Sequence, residues 1–220
     1  MSLPLNDFRH EFEKVCQQCG RDPHSITLVA VSKKQPLSKI HEAYREKQYD
    51  FGENYIQEAL EKQNALQLPG IRWHMIGPVQ TNKINKILGK FVLIHSVDSF
   101  HIAEEINKRA ERDGLKVPVL LQLNLAHEET KSGQTKEKLL SQWDQYKKLS
   151  ALQIEGLMTM PPLQEDPEKS RPYFQELRKL AKQLGLQQLS MGTSSDWKVA
   201  LEEGATLIRV GTSVFGERST

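Results

Sequence analysis

No apolar run in this chain approaches the roughly 20 residues that a membrane-spanning helix requires, and the N-terminus "MSLPLNDFRHEF" lacks the basic, apolar and small-residue succession of a secretory signal. A cytoplasmic location is the expectation. Cysteine is scarce: Cys16 and Cys19 form a C-x-x-C, but it does not sit after a strand at a helix start, as a redox pair would, and no second ligand pair is spaced for zinc. Both read as ordinary helix thiols. The seven histidines show no H-E-x-x-H or other metal-binding spacing, so no metal site is expected. Charge imbalance is missing too. Thirty basic against 28 acidic residues leave a formal charge of +2, too even for a protein that works by neutralising phosphate backbones. The one basic stripe, Lys83, Lys86 and Lys90, reads as a solvated helix face. No linker, composition shift or low-complexity run divides the chain. Residues 1–220 therefore read as a single domain, whose 38% hydrophobic content suffices for a core.

What is present is alternation. Apolar, β-branched segments recur at residues 26–33, 49–52, 72–78, 91–97, 118–125, 153–160, 187–193 and 206–212, which predicts eight strands. Between them run segments with helical spacing, such as Ile40, Ala43 and Tyr44, or Leu177, Leu180, Ala181 and Leu184. Capping residues open several of these, Asp98 with Ser99 and Ser194 with Ser195 among them, and Gly114, Gly185 and Gly204 stand where helices should stop. Strands too apolar to have a wet face point to a parallel sheet covered by helices. The expected fold is thus α/β, a single (β/α)8 TIM-type barrel, with an extra N-terminal helix near residues 5–19 covering the barrel bottom. An open doubly wound sheet is the rival.

In such a barrel, chemistry collects at the C-terminal ends of the strands. The first strand, "ITLVAVSK", ends on a lysine. Alternation puts Val29, Val31 and Lys33 on one face, so if the valines face the interior, Lys33 stands at the mouth. Partial desolvation there favours a neutral amine able to attack an aldehyde and give a Schiff base; the plain alternative is a lysine snorkelling to water. Arg209 lies inside the apolar last strand, on the face of Leu207 and Gly211, and a cation in that position needs a partner. That partner is either a ligand or a strand-end acid such as Glu53. Finally, Gly192 with Ser194 and Gly211 with Thr212 end the last two strands, where barrels commonly hold phosphate and where the helix after Ser194 would add its positive end. A lysine nucleophile, a buried cation and a phosphate cradle together describe a pocket for an aldehyde that carries a phosphate. Pyridoxal phosphate fits.

The segments "LVAVSKKQP", "FGENYIQEA", "WHMIGPVQTNK", "HSVDS", "KSG", "GLMTMPP", "SMGTSSD" and "IRVGTSVFG", in this order, resemble the pyridoxal-phosphate homeostasis proteins over nearly the whole chain. The resemblance implies a barrel similar to the N-terminal domain of bacterial alanine racemases, with pyridoxal phosphate held on Lys33. It further implies Asn54 beside the cofactor, Arg209 at the pyridine nitrogen, Ser194, Gly211 and Thr212 on the phosphate, and His74 and Met191 lining the pocket. One position departs: those proteins usually carry methionine where this chain has Thr193. By the same resemblance the protein would be a monomer that buffers the cofactor and delivers it to pyridoxal-phosphate-dependent apo-enzymes.

Turnover is a separate question. A carboxylate at the pyridine nitrogen keeps the ring an electron sink, whereas arginine is only a donor and leaves that nitrogen unprotonated. Racemases tolerate the arginine but need a second acid or base on the far face, which in alanine racemases comes from an added domain, and the chain ends at Thr220 shortly after its last barrel motif. The expectation is a cofactor-binding protein without catalytic residues. The alternative is a racemase-like enzyme with Lys33 as base and His74 or Tyr55 opposite; a remoter one is a cofactor-free aldolase in which Lys33 attacks a sugar phosphate.

Overall fold

A computed structural model describes residues 4–128 and 131–216, so the outermost residues of the expected 1–220 domain lie outside the described residues. Eight parallel strands form in chain order: β1 (Thr27–Val31), β2 (Asp50–Glu53), β3 (Arg72–Met75), β4 (Leu93–Val97), β5 (Val117–Leu123), β6 (Leu152–Thr159), β7 (Gln188–Ser190) and β8 (Leu207–Val210). Each pairs with the next, and β8 pairs back onto β1 through Thr27 with Leu207 to Ala30 with Val210. That last ladder closes the barrel and excludes the open sheet. All eight expected strands exist, with ends trimmed by one to three residues in most.

The helices are α1 (Leu5–Gln18), α2 (Leu37–Arg45), α3 (Ile56–Ala65), α4 (Ile84–Ile87), α5 (Phe100–Arg112), α6 (Lys136–Tyr146), α7 (Arg171–Leu184), α8 (Trp197–Glu202) and α9 (Thr212–Phe215). α7 illustrates why they form. Phe174, Leu177, Leu180 and Ala181 recur at helical spacing and are buried, and Gly185 ends the helix in the left-handed region at φ 72°. Likewise Ser99 caps α5 by accepting from the Ile102 amide.

α1 is present, but it does not cover the barrel bottom. Its apolar stripe, Leu5, Phe8, Phe12 and Val15, packs into the outer layer against α8 and α9, with the Phe8 ring 5.0 Å from that of Trp197. Two rings from α1 converge on Trp197, and that aromatic cluster holds the helix to the side of the barrel. The N-terminal mouth keeps a polar cavity bordered by Arg9, Lys47, Asp50 and Arg72. Cys16 is buried on this helix and Cys19, just past its end, is half-buried; both thiols are free, and burial pushes each above the ordinary thiol range.

Strand alternation creates two interiors. Outward-facing residues such as Ala30, Phe51, Ile94, Leu121 and Ile208 join the helices in one large apolar cluster. Inward, Val29, Leu93, Leu120, Met158 and Leu207 form a small cluster of their own inside the ring.

Candidate functional site

Val29 belongs to the inner cluster, so the parity reading of the first strand holds and Val31 and Lys33 follow on the same side. The strand itself stops at Val31. Beyond it the chain turns tightly: the Gln35 amide reaches back to the Ser32 carbonyl at 3.0 Å, and Lys34 takes φ 58°, a left-handed conformation that costs a non-glycine residue energy. A buried cluster on the outer face of the barrel holds this turn. Lys62 of α3 donates to the Ser32 carbonyl at 2.6 Å and to the carboxylates of Glu53 and Glu58, each at 2.7 Å. Ser32 donates its hydroxyl to Glu53 at 2.6 Å, and Glu58 accepts the Lys34 amide at 2.5 Å. Both residues that flank Lys33 are thereby fixed. Burial raises the Glu53 carboxyl above its ordinary range, against the hydrogen bonds from Lys62 and Ser32, which lower it. The possible partnership of Arg209 with Glu53 is ruled out, because Glu53 points outward to Lys62.

At the C-terminal mouth lies a cavity of about 320 Å³, within the size class of small-molecule sites. Lys33, Asn54, Ser194, Arg209, Gly211 and Thr212, six of the expected site residues, all border it. Asn54 is set by a close approach of backbones: a Cβ on Gly77 would fall 2.0 Å from the Asn54 carbonyl oxygen, so only glycine fits there. Across the mouth, Gly192 takes φ 90° and lies so near α8 that a Cβ would meet that of Ala200 at 2.6 Å. The Gly211 amide donates to Ser194 Oγ at 3.2 Å, which joins the two small-residue turns. Thr193, the departing position, donates its amide and its hydroxyl to Asp196 Oδ1 at 2.7 and 3.0 Å, so the turn is stabilised by polar bonds rather than by a methionine side chain. The helix dipole expected behind Ser194 is weak, since α8 begins only at Trp197, spans six residues, and has its Asp196 and Trp197 amides on the Thr193 carbonyl. Half-exposed Met160 and the open Leu163, 86% exposed, add an apolar rim.

Arg209, 3% exposed, reaches across the barrel interior. Its guanidinium donates to Ser190 Oγ and, at 3.0 Å, to the Thr159 carbonyl, while its body borders the cavity. Burial pushes it down to about 10, partly offset by Asp196, which leaves it charged at neutral pH.

His74 and Met191 are placed differently from the expectation. β7 turns Ser190 inward, so Met191 faces outward into the helical core with Trp197. His74 does face inward, but one layer deeper than the cavity. Its Nε2 lies 3.0 Å from Asp50 Oδ1 and its Nδ1 2.9 Å from Nε2 of His95, whose Nδ1 lies 2.8 Å from Ser190 Oγ. The sequence reading missed Asp50, His95, Ser190 and the Lys62 cluster. A usable signal existed: His74, His95, Ser190 and Arg209 each sit next to large apolar residues inside a predicted strand.

Comparison with known proteins accords with this geometry. The family described as "Alanine racemase, N-terminal domain" matches residues 4–219. A protein of Aquifex aeolicus described as a pyridoxal phosphate homeostasis protein is 43% identical over 220 residues, covering 97% of this chain and 96% of its own. Its namesake in Pseudomonas aeruginosa is 40% identical over 207 residues, covering 93% and 90%. The solved structure of PipY from Synechococcus elongatus PCC7942 with PLP bound superposes with a TM-score of 0.84 at 39% identity, over 93% of this chain and 99% of PipY. Alanine racemase from Clostridium difficile 630, at 16% identity and TM-score 0.75, shares the fold over 99% of this chain and 57% of its own.

Proposed function

The chain belongs to the pyridoxal phosphate homeostasis protein family, and we propose that it binds pyridoxal phosphate in the cavity at the C-terminal mouth of the barrel and serves to buffer and deliver it. One observation carries this reading: a lysine, a buried arginine and a turn of small hydroxyl and glycine residues border one cavity of about 320 Å³. The donor set fits the group. Lys33 offers an amine to the aldehyde, Arg209 offers N–H donors to the ring nitrogen, and Ser194, Gly211 and Thr212 offer hydroxyls and backbone amides to the phosphate. Asn54 flanks the ring. When bound, the cofactor can supply an electron sink for amino-acid chemistry, and the protein's groups restrain that use. Arg209 can only donate, so it favours an unprotonated ring nitrogen and a weaker sink.

The racemase alternative requires an acid or base opposite Lys33. His74 has both ring nitrogens engaged below the cavity, by Asp50 and His95, and Tyr55 is 52% exposed and outside the cavity lining. These placements favour a carrier over a racemase; in the same reading the carrier works as a cytoplasmic monomer and hands the cofactor to apo-enzymes.

The test is α-hydrogen exchange. The cofactor-loaded protein, incubated with each amino acid in deuterated water, should exchange no faster than an equal concentration of free pyridoxal phosphate. Exchange of one amino acid at an enzymatic rate would overturn the carrier reading.

A further inference from the structure

Through the centre of the barrel runs an unbroken polar line: Arg72 and Asp50 at the N-terminal mouth, then His74, His95 and Ser190, then Arg209 beneath the cavity. Five strands contribute to it, β2, β3, β4, β7 and β8. Its lower end opens into the polar cavity bordered by Arg9, Lys47, Asp50 and Arg72.

The donor and acceptor roles along this line follow from its two ends. Arginine only donates, so Ser190 Oγ accepts from Arg209. An ionised carboxylate only accepts, and Asp50 is ionised: burial raises it, but the hydrogen bonds from His74 and Arg72 outweigh that and bring it below the ordinary range. The nitrogen facing it, His74 Nε2, must therefore carry a hydrogen. If His74 is neutral, its Nδ1 is bare and accepts from Nε2–H of His95. His95 is neutral as well, held far below the usual imidazole range chiefly by burial. Its Nδ1 is then bare and accepts the Ser190 hydroxyl hydrogen. Every group is satisfied, and every shared hydrogen points toward Asp50. The one other consistent pattern makes His74 an imidazolium and reverses both bonds above it. It places a cation between Arg209 and Arg72, and Ser190 would then accept from two donors while its own hydrogen left the line.

We propose that Asp50, His74, His95 and Ser190 are positioning residues for Arg209, forming a one-directional hydrogen-bond relay through the barrel interior that fixes its guanidinium at the cavity, where it would meet the cofactor. Hydrogen bonds in such a chain polarise one another in a low-dielectric interior. Ser190, with its hydrogen drawn toward His95, is the stronger acceptor for Arg209, a cation that has no carboxylate in direct contact among the described residues and is partly offset at a distance by Asp196. The proposal rests on the reading of the cavity as a pyridoxal phosphate site, and its tests separate the two.

The relay's direction is read without cofactor. In histidine-15N-labelled protein, long-range proton–nitrogen correlation spectra should show His74 and His95 both as neutral Nε2–H tautomers. A His95 Nδ1–H tautomer, or an imidazolium at His74, would overturn the relay. Its effect on the site is read in cofactor-loaded protein. Ser190→Ala should shift the visible absorption band and weaken cofactor affinity about tenfold, the loss expected when a hydrogen bond to a charged group goes. Arg209→Gln should shift the band further. An unchanged band and affinity in S190A beside a shifted R209Q would refute the positioning role. An unchanged band in both would instead remove Arg209 from the ring, and with it the claim that the relay serves the cofactor, while the histidine tautomers would still decide whether the relay exists.

Discussion

The two faces of the same eight strands differ in chemistry. Outward-facing residues meet helices in a continuous hydrocarbon layer that runs from Phe8 and Trp197 to Phe174 and Leu177. Inward-facing residues include one compact apolar cluster, Val29, Leu93, Leu120, Met158 and Leu207, beside a polar column that stretches from mouth to mouth. Barrel interiors are usually filled by layers of branched apolar side chains. Here the outer layer carries the burden of cohesion, which leaves the inner face free to place charge under a cavity.

The sharpest way to separate the two faces is Lys33→Ala. It should abolish covalent attachment of pyridoxal phosphate altogether while leaving the fold intact with a cooperative melt, because the backbone of the turn on either side of residue 33 is held by bonds to the Ser32 carbonyl and the Lys34 amide. An absorption spectrum beside a melting curve checks both halves.

Phe174→Ala should do the converse. Phe174 is wholly buried in the outer layer, so its removal should cost about 3–5 kcal/mol of stability. Cofactor affinity, measured where the variant is still folded, should be unchanged.

Lys62→Met tests a place where the faces meet, because Lys62 lies in the outer layer yet grips Ser32 directly and holds Glu58, which accepts the Lys34 amide. Removing it strands Glu53 as a buried charge, with an expected loss of about 3 kcal/mol in urea unfolding. Cofactor affinity should fall along with it. A loss of stability with the affinity intact would show that the turn holds its shape without the cluster.

The smallest effects concern acid. The Asp50 carboxyl is lowered in the folded state, so its stabilisation is present above the ordinary carboxylate value and is lost as pH falls through the lowered one. Asp50→Asn should therefore flatten the acid limb of a stability-versus-pH curve. Glu53 is raised, so the folded state takes up its proton first and gains stability as pH falls through that raised value. Glu53→Gln should steepen the same limb. Denaturation midpoints between neutral pH and the acid limb compare the two slopes.

The outer face was the more legible in the sequence. β-branched runs and helical spacing are local signals, and they located all eight strands and the long helices. The strand-end residues Lys33, Arg209, Gly211 and Thr212 were legible because alternation and the barrel's geometry say where a strand end points, whereas Asn54 came from the family resemblance alone. The inner column was not. His95 and Ser190 lie 95 positions apart and meet only through the register of four successive strands, which no local pattern encodes. Met191, expected in the pocket from the family resemblance, faces the other way, and no apolar pattern could have corrected it: in a strand buried on both faces, apolar residues do not reveal which face is inside. The polar residues in such strands do, and Ser190 fixes the phase of β7. The clamp on residues 32 and 34 was equally hidden, since Lys62 and Glu53 come together only when α3 folds back onto β1 and β2.

Lys33, at the C-terminal cavity, is the proposed anchor of pyridoxal phosphate. Incubation with the cofactor, borohydride reduction and peptide mass mapping test that role most directly. The protein should turn yellow, and the reduced phosphopyridoxyl group should map to the peptide containing Lys33. A protein that stays colourless, or a label that maps to another lysine with Lys33 unmodified, would contradict it.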